Sequence, residues 1–257
     1  MRISILGLGY VGAVTAGCLA RDGHDVLGCD LDHAKLDLIR DGQTPIIDRG
    51  MKELMSGAIS SGRLSVTDDP MRAVQDSEVS FVCVGTPGMA NGGQDLTAVR
   101  RVSEQLGEAL KAKSGFHLLV FRSTVLPGTM ERVVLPAVEA SSGLRGGVDF
   151  GLCFQPEFLR EGSSIDDYDN PPFTVVGIDC ERSAEMLREI FGHLPCDFVT
   201  TDVGTAELLK YCCNAFHALK ITFANEIGRV AQALNVDPHA AMALVCRDER
   251  LNISPAY

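Results

Sequence analysis

The residues whose types and spacing could do chemistry stand near the start of the sequence, and they are three glycines and one acid. Gly7, Gly9 and Gly12 follow a short apolar strand, and Asp30 ends the next apolar stretch. Glycines at this spacing can serve packing alone, but they also allow a tight turn and a close approach to a ligand. The N–H groups at the start of the following helix attract an anion such as a pyrophosphate. The pattern therefore predicts a dinucleotide site in which Asp30 accepts ribose hydroxyls and favours NAD over NADP.

Apolar stretches typical of buried strands alternate with segments of helical periodicity as far as about residue 200. This alternation predicts an α/β fold, a Rossmann-type doubly wound parallel sheet. Ligands bind such sheets beyond the carboxyl ends of the strands, so polar residues at those ends are expected to share one edge. Four residues meet this description: Asp30, Thr86, Thr124 and Glu157. Thr124 could instead simply cap the helix that follows its strand.

A long helix of about eight or nine turns is predicted over residues 203–234, which contain no proline. We interpret it as a connecting helix and as the seam of a homodimer formed through residues 201–235. Four polar residues fall within about 80° of arc on this helix and form one stripe: Lys210, Asn214, His217 and Asn225. The stripe is either a solvent-facing edge or part of a site, and Asn and His favour the site over the Glu and Lys of an ordinary exposed face.

The domain prediction that follows is a first domain over residues 1–200 and the start of a helical domain over 201–257. The net charge of −11 argues against binding to nucleic acid or to an anionic membrane. No apolar run reaches the length of a membrane span, and the first residues lead straight into a strand rather than a signal peptide. The nine cysteines form no C-x-x-C pair. We expect reduced thiols, no metal site and a cytoplasmic protein.

Several longer motifs identify a family. The spacing Lys210-x-x-x-Asn214 after a Rossmann domain resembles the β-hydroxyacid dehydrogenase superfamily, and four segments narrow the resemblance to the UDP-glucose/GDP-mannose dehydrogenase family. They are GLGYVG at residues 7–12, VCVGTP at 82–87, STVLPGT at 123–129 and QPEFLREG at 155–162. The resemblance covers the whole chain. Residues 210–214 and 222–226 favour the GDP-mannose branch of the family, with UDP-glucose as the alternative substrate.

The resemblance implies a four-electron oxidation of a nucleotide sugar at C6, in which NAD takes two hydrides and a cysteine thiolate holds the intermediate. By analogy, the NAD contacts beyond the glycines are Tyr10, Val11, Asp30, Lys35, Thr86 and Thr124. The substrate contacts are Glu161, Lys210, Asn214, His217 and Asn225. Glu157 is the expected base or water-positioning carboxylate, and Lys210 is the cation beside developing oxyanions. Asn214 and Thr124 are expected to hold the water or the reacting oxygen.

Two departures from the family pattern limit these expectations. Gln155 stands where the family has Asn, and no Gly-Gly-x-Cys-x-Pro-Lys-Asp segment, which carries the family's nucleophile, occurs in the 257 residues. We therefore expect an N-terminal portion of such an enzyme, which binds NAD without completing the reaction. The alternatives are a two-electron β-hydroxyacid dehydrogenase that needs no thiol and a catalytically silent nucleotide-binding module.

Overall fold

The computed structural model describes residues 1–251, so the end of the predicted second domain, residues 252–257, lies outside the described part. Eight strands form one sheet. They are β1 (Arg2–Leu6), β2 (Asp25–Cys29), β3 (Leu64–Thr67), β4 (Val79–Val82), β5 (Leu118–Phe121), β6 (Gly151–Phe154), β7 (Thr174–Gly177) and β8 (Phe198–Thr201). The last strand ends at Thr201, in agreement with the predicted alternation of strands and helices as far as about residue 200.

Helices connect these strands. They are α1 (Tyr10–Arg21), α2 (His33–Arg40), α3 (Met51–Ser60), α4 (Pro70–Gln75), α5 (Thr97–Lys111), α6 (Leu135–Ser142), α7 (Ser164–Asp169), α8 (Glu181–Phe191), α9 (Val203–Ala233) and α10 (Pro238–Val245). A π-helical segment, Met130–Val134, leads into α6, and a 3₁₀ turn, Glu249–Leu251, follows α10. Asp69 and Asp237 cap α4 and α10 through their carboxylates, each before a proline in the first turn.

The strand order is β3-β2-β1-β4-β5-β6-β7-β8. The chain moves outward from β1 to β3, then returns to the centre and moves outward the other way from β4. This order is that of a Rossmann-type doubly wound sheet, and the predicted fold class is confirmed. The switch point between β1 and β4 opens the crevice in which such sheets bind ligands. β4, β5 and β6 are buried along their whole length, which explains their continuous apolar sequences.

The prediction of a wholly parallel sheet is wrong at one junction, because β7 runs antiparallel to β6. The connection between them contains α7, a helix of six residues that the sequence analysis missed. This helix does not carry the chain back along β6. It lies instead against the end of α1, where the Tyr168 hydroxyl donates a 3.0 Å hydrogen bond to Asp22. The chain therefore enters β7 from the edge at which it left β6.

A polar network lies inside the otherwise apolar sheet. The hydroxyls of Ser4 and Ser80 are 2.6 Å apart, and Ser80 lies 2.8 Å from Nε2 of His117, which is fully buried. Ser77 adds a 3.0 Å hydrogen bond to Ser4. Burial, and next the charge of Lys113, lower the pKa of His117 to about 3. The imidazole is therefore neutral at pH 7.

The chain divides into two compact units, Met1–Leu208 and Leu209–Tyr257. The first unit contains the sheet and the first residues of α9. The second contains the rest of α9 and α10, and α9 itself confirms the long helix predicted from residue 203. Among residues 1–251 no helix is both long and apolar enough to cross a membrane. All nine cysteines are free thiols.

The neutral state of His117 makes stability depend on pH. Between its folded pKa of about 3 and its ordinary value of 6.5, the unfolded chain binds a proton that the folded chain does not. This contribution to the free energy of unfolding therefore falls as pH drops from 6.5 toward 3, by about 1.4 kcal/mol per pH unit. The variant His117→Gln has no imidazole and therefore lacks this pH-dependent contribution. The stability difference between wild type and variant should therefore shrink as pH falls from 7 to 4. Urea denaturation at several pH values measures this difference.

The control is His239→Gln, because the side chain of His239 is exposed. Its stability difference should change little over the same pH range. A stability difference for His117→Gln that stays constant from pH 7 to pH 4 would contradict the prediction.

Candidate functional site

The turn between β1 and α1 requires two of its glycines. Gly7 has a φ of +92°, which side chains other than glycine's rarely adopt. A Cβ on Gly7 would also lie 2.8 Å from the carbonyl oxygen of Cys83, on the chain just after β4. A Cβ on Gly12 would overlap the carbonyl oxygen of Gly7. The two positions let strand and helix meet closely, as the spacing predicts.

Space and donors for an anion lie at the start of α1. A Cβ on Gly9 would meet no atom within 4 Å, so the backbone there faces open space. Gly9 is the N-cap residue of α1, no side chain caps it, and the first turn contains no acidic residue. The first N–H groups of α1 therefore carry the positive end of the helix dipole without an acceptor from a capping side chain. This arrangement fits a pyrophosphate.

Asp30 follows β2 beside this turn, and its carboxylate is held on both oxygens. Its Oδ2 accepts hydrogen bonds of 2.7 Å from the Leu8 N–H and from the Lys35 ammonium. Its Oδ1 accepts a 3.0 Å hydrogen bond from the Asp32 N–H. Burial alone would raise the pKa of Asp30, but the ammonium and the two N–H groups outweigh burial and lower it. The site therefore presents an ionised, oriented carboxylate with an Oδ1 lone pair open to a hydroxyl.

A cavity of about 400 Å³ adjoins these groups, and Gly7, Gly9, Asp30 and Lys35 all line it. This volume lies within the usual range of ligand sites. Arg101 and Gln105, one turn apart on α5, also line it, and the sequence analysis did not single them out. The sequence did contain a signal for them. Arg101 and Gln105 are four residues apart on α5, the helix that follows β4, and they therefore share one polar face of that helix, toward the crevice. The remaining lining residues are Leu6, Cys29, Leu31, Pro70, Cys83, Val84, Gly85, Ala98 and Val102.

The two predicted threonines contact each other at the next strand ends. The Thr86 hydroxyl donates a 2.6 Å hydrogen bond to the Thr124 carbonyl, which also accepts a 3.0 Å bond from Gln94. Thr124 does not cap a helix, because the helical segment begins at Met130 with Thr129 as its N-cap residue. The simple capping interpretation of Thr124 is therefore wrong.

Glu157 follows β6 and lines a separate cavity of about 280 Å³. Its Oε2 accepts a 2.9 Å hydrogen bond from the Leu159 N–H, so the carboxylate also has a structural use that the sequence did not indicate. Arg122, 7% exposed, lines the same cavity and donates a 2.8 Å hydrogen bond to Thr15. Burial, the largest influence, and the charge of Glu157 raise the pKa of the Cys83 thiol to about 12, against the charge of Arg122. Cys83 is therefore an unreactive thiol at neutral pH.

These groups form a row along the carboxyl edge of the sheet. Asp30, Thr86, Thr124 and Glu157 follow β2, β4, β5 and β6, four parallel strands of the sheet. From β2 to β6 there are four strand spacings, or about 19 Å. The cavities at the two ends share no lining residue. Only an extended ligand can reach both, and a dinucleotide is such a ligand.

The remaining predicted residues of the first unit lie near the glycine turn or in the loop after β6. The Tyr10 hydroxyl lies within hydrogen-bond distance of the Asp48 carboxylate and 2.8 Å from the Arg160 carbonyl. Val11 is half-buried in the first turn of α1, where its carbonyl accepts a 2.7 Å hydrogen bond from Thr15. Glu161 is exposed beside Arg160.

The other four predicted residues belong to the second unit. Lys210 is 7% exposed, and Asn214, His217 and Asn225 are exposed on α9. Asn225 lines a cavity between the end of α9 and α10, together with Arg229 and His239 of the same unit. Within the described ranges of both units, no three His, Cys, Asp or Glu side chains converge as a metal site.

Comparison with known proteins identifies the chain. The NAD binding domain of the UDP-glucose/GDP-mannose dehydrogenase family matches residues 1–195, and the central domain of that family matches residues 204–257. The chain belongs to the UDP-glucose/GDP-mannose dehydrogenase family. The resemblance based on the sequence motifs is thereby confirmed, and so is NAD as the cofactor, whose binding the glycine turn and Asp30 fit.

Among its relatives, the GDP-mannose 6-dehydrogenase of Pseudomonas aeruginosa is 49% identical over 257 residues, which are 100% of this chain and 59% of that protein. The structure of a ternary complex of GDP-mannose dehydrogenase from that species matches with a TM-score of 0.96 over the same shares. A UDP-glucose dehydrogenase structure from Pyrobaculum islandicum matches at 39% identity and a TM-score of 0.93, over 99% of this chain and 58% of that one. The UDP-glucose 6-dehydrogenase of Haloferax volcanii is 37% identical over 98% of this chain and 59% of its own length. The chain thus spans about 59% of the length of its curated relatives.

The environment of Asp30 predicts how the family's cofactor preference can be changed. Asp30→Asn keeps the size of the side chain but removes the charge that repels a 2′-phosphate. It also leaves the cations of Lys35 and Arg101 at the same cavity. We expect the preference for NAD over NADP to fall by about tenfold or more, with tighter NADP binding as part of the change. Isothermal titration calorimetry with each dinucleotide measures the preference.

Asp25→Asn is the control for this substitution, because Asp25 is an exposed carboxylate on the same strand that pairs with Arg63 at 3.0 Å. Its preference should stay within twofold of the wild-type value. An unchanged preference in Asp30→Asn would show that the carboxylate does not select the cofactor.

Proposed function

We propose that this chain is the cofactor-binding part of an NAD-dependent enzyme that oxidises GDP-mannose at C6 to GDP-mannuronate in a four-electron reaction. Residues 1–200 form the NAD-binding Rossmann domain in this proposal, and residues 201–257 begin a central helical domain. A cytoplasmic location belongs to the proposal, because nine free thiols are typical of a reducing compartment.

The observation that supports GDP-mannose as substrate is the difference in identity between two sets of relatives. GDP-mannose 6-dehydrogenases from Pseudomonas aeruginosa and Azotobacter vinelandii are 49% and 48% identical over the full chain. The UDP-glucose 6-dehydrogenases of Haloferax volcanii and Rhizobium meliloti are 37% identical. UDP-glucose is therefore the alternative substrate that a test must exclude.

The residues that would hold NAD form the row along the sheet edge. The N–H groups at the start of α1 would bind the pyrophosphate, while Asp30 and Lys35 would orient the adenosine ribose. Thr86 and Thr124 would contact the half of the cofactor nearer β5. An NAD molecule bound there would accept one hydride from C6, and the second oxidation step would need a second NAD molecule.

The proton and charge chemistry is assigned to residues of both units by family analogy. Glu157 would accept a proton from the substrate alcohol or from water, and Thr124 and Asn214 would hold the reacting oxygen or that water. Lys210 would stabilise the negative charge that develops on the oxygen of C6. Glu161, His217 and Asn225 would bind the nucleotide sugar.

A direct test measures cofactor binding and NADH formation by the 257-residue chain with GDP-mannose and, in parallel, with UDP-glucose. We expect saturating NAD to raise the melting temperature by several degrees, as selective binding to the folded state does. We expect no more than one NADH per GDP-mannose, because the family's nucleophile segment is not in the sequence. With UDP-glucose we expect no NADH, because GDP-mannose is the proposed substrate. A melting temperature unmoved by NAD would refute the cofactor site, and NADH formed only with UDP-glucose would refute the substrate.

We also propose that the chain forms a homodimer through residues 201–235. The support is a set of large apolar side chains on α9 that remain exposed in the single chain, namely Phe216, Leu219, Ile221, Phe223 and Val230. Exposed apolar surface on this scale is typical of an interaction site.

The dimer predicts a mass of about twice that of the chain in sedimentation equilibrium at micromolar concentration. Phe223→Glu introduces a charge into the proposed seam and should shift the population to monomer by tenfold or more in the dissociation constant. Val148→Glu is the matched control, because Val148 is also an exposed apolar residue but lies in the first unit. A wild-type chain that sediments as a monomer would exclude the dimer.

A further inference from the structure

Three segments that are distant in sequence meet at one carboxylate, that of Asp48. The first is Tyr10, the first residue of α1, whose hydroxyl donates to Oδ2 of Asp48. The second is the turn at residues 160–162, where the Gly162 N–H donates a 3.1 Å hydrogen bond to the same oxygen. The third is the loop that contains Asp48, in which the Arg49 N–H donates a 2.6 Å hydrogen bond to Oδ1 of Asp48.

The carboxylate of Asp48 is ionised, so both of its oxygens act as hydrogen-bond acceptors. Burial would raise the pKa of Asp48, but the hydrogen bonds from Tyr10 and from the backbone lower it to about 2. Burial, together with the hydrogen bond to Asp48, raises the pKa of Tyr10 to about 12. The phenol is therefore a donor and the carboxylate an acceptor at any pH in the working range, which makes the hydrogen bond between them charge-assisted.

The turn held by Asp48 is tied on its other side to α7, through Arg160 and Asp167. Gly162 has a φ of +91°, so its backbone is of the kind that tight turns use. Arg160 is tied by an ion pair to Asp167 of α7, and its carbonyl lies 2.8 Å from the Tyr10 hydroxyl. Glu161, the proposed substrate contact, stands between these two tethered residues and is exposed.

We propose that Asp48 is a positioning residue that ties the turn carrying Glu161 to the first turn of α1, and thereby couples cofactor binding to the order of the substrate loop. Tyr10 follows Gly9 directly, at the helix end that would hold the pyrophosphate. An anion bound at this helix end would restrict the motion of the first turn and of the Tyr10 phenol. The hydrogen bonds of Asp48 to Tyr10 and to the Gly162 N–H would extend this restriction to the turn at residues 160–162. By reciprocity, a substrate that orders the turn would favour cofactor binding equally. The coupling rests on the proposed function, because it takes the cofactor site and Glu161 from it.

The test follows hydrogen exchange at the Gly162 amide by NMR in the 257-residue chain, with and without saturating NAD. In Asp48→Ala we expect this amide to exchange about tenfold faster or more, because it loses an acceptor that carries a charge. The Leu159 amide, which donates to Glu157 in the same loop, should change less than twofold. In the wild type NAD should slow exchange at Gly162, and in Tyr10→Phe and Asp48→Ala this effect of NAD should disappear.

Two further variants separate positioning from a general effect on folding. Asp37→Ala removes an exposed carboxylate that pairs along α2 with Arg40, and it should leave exchange at Gly162 unchanged. Asp48→Glu keeps the charge and should restore at least part of the protection that Asp48→Ala loses.

The possible failures are distinguishable. Equal exchange at Gly162 in wild type and Asp48→Ala would overturn the positioning role, and that comparison needs no ligand. NAD that binds the wild type, as calorimetry would report, without slowing Gly162 exchange would overturn the coupling and leave the proposed function intact. A wild-type chain that does not bind NAD would overturn the proposed function and with it the coupling.

Discussion

The close approach of Gly12 to the Gly7 carbonyl is the constraint on which the rest of the structure depends. A single methyl group at Gly12 would overlap that oxygen, so the start of α1 could no longer lie against the end of β1. The helix that begins there is lined with small buried residues, among them Ala13, Ala16 and Gly17. Small residues let α1 pack closely against its neighbours, at Gly17 against Leu54 and Met55 of α3, and its first N–H groups lie at the switch point of the strand order. Close packing of helix and strand and space for an anion therefore both depend on glycines, which have no side chain at this turn.

The electrostatics of the site are local, because the protein as a whole is acidic. A chain of net charge −11 repels an anionic ligand at long range, yet at physiological salt charges beyond about 8 Å are largely screened. Within that distance the helix end provides N–H groups, and Lys35 neutralises Asp30 at 2.7 Å. The backbone N–H groups of Leu8 and Asp32 complete the compensation. The carboxylate therefore remains ionised and oriented, while a pyrophosphate would be bound at the N–H groups of the helix start rather than beside it.

The sequence predicted the features whose causes lie within a few neighbouring residues. Strand and helix periodicity and the glycine turn are of this kind, and each is confirmed. The helix α7 was missed because six mostly polar residues show no period, and the antiparallel entry into β7 depends on it.

The site was predicted less completely, for the same reason of distance along the chain. Arg101 and Gln105 reach the cavity because β4 lies next to β1, a pairing across more than 70 residues of chain. Asp48 meets a donor 114 residues away, so no local pattern marks it.

The first turn of α9 is anchored far more firmly than the apolar surface that follows it. Glu207 is buried in the first unit, and its two oxygens accept the N–H groups of Gly128 and Met130 at 2.6 and 2.9 Å. Asp202 caps the same turn through the Thr205 N–H. A long helix owes most of its stability to packing of its apolar face rather than to propensity, and the apolar side chains of α9 beyond Leu208 are mostly exposed. Its start is therefore fixed by the first unit, which carries the glycine turn, while the apolar side chains of the remainder stay exposed, as the proposed dimer requires.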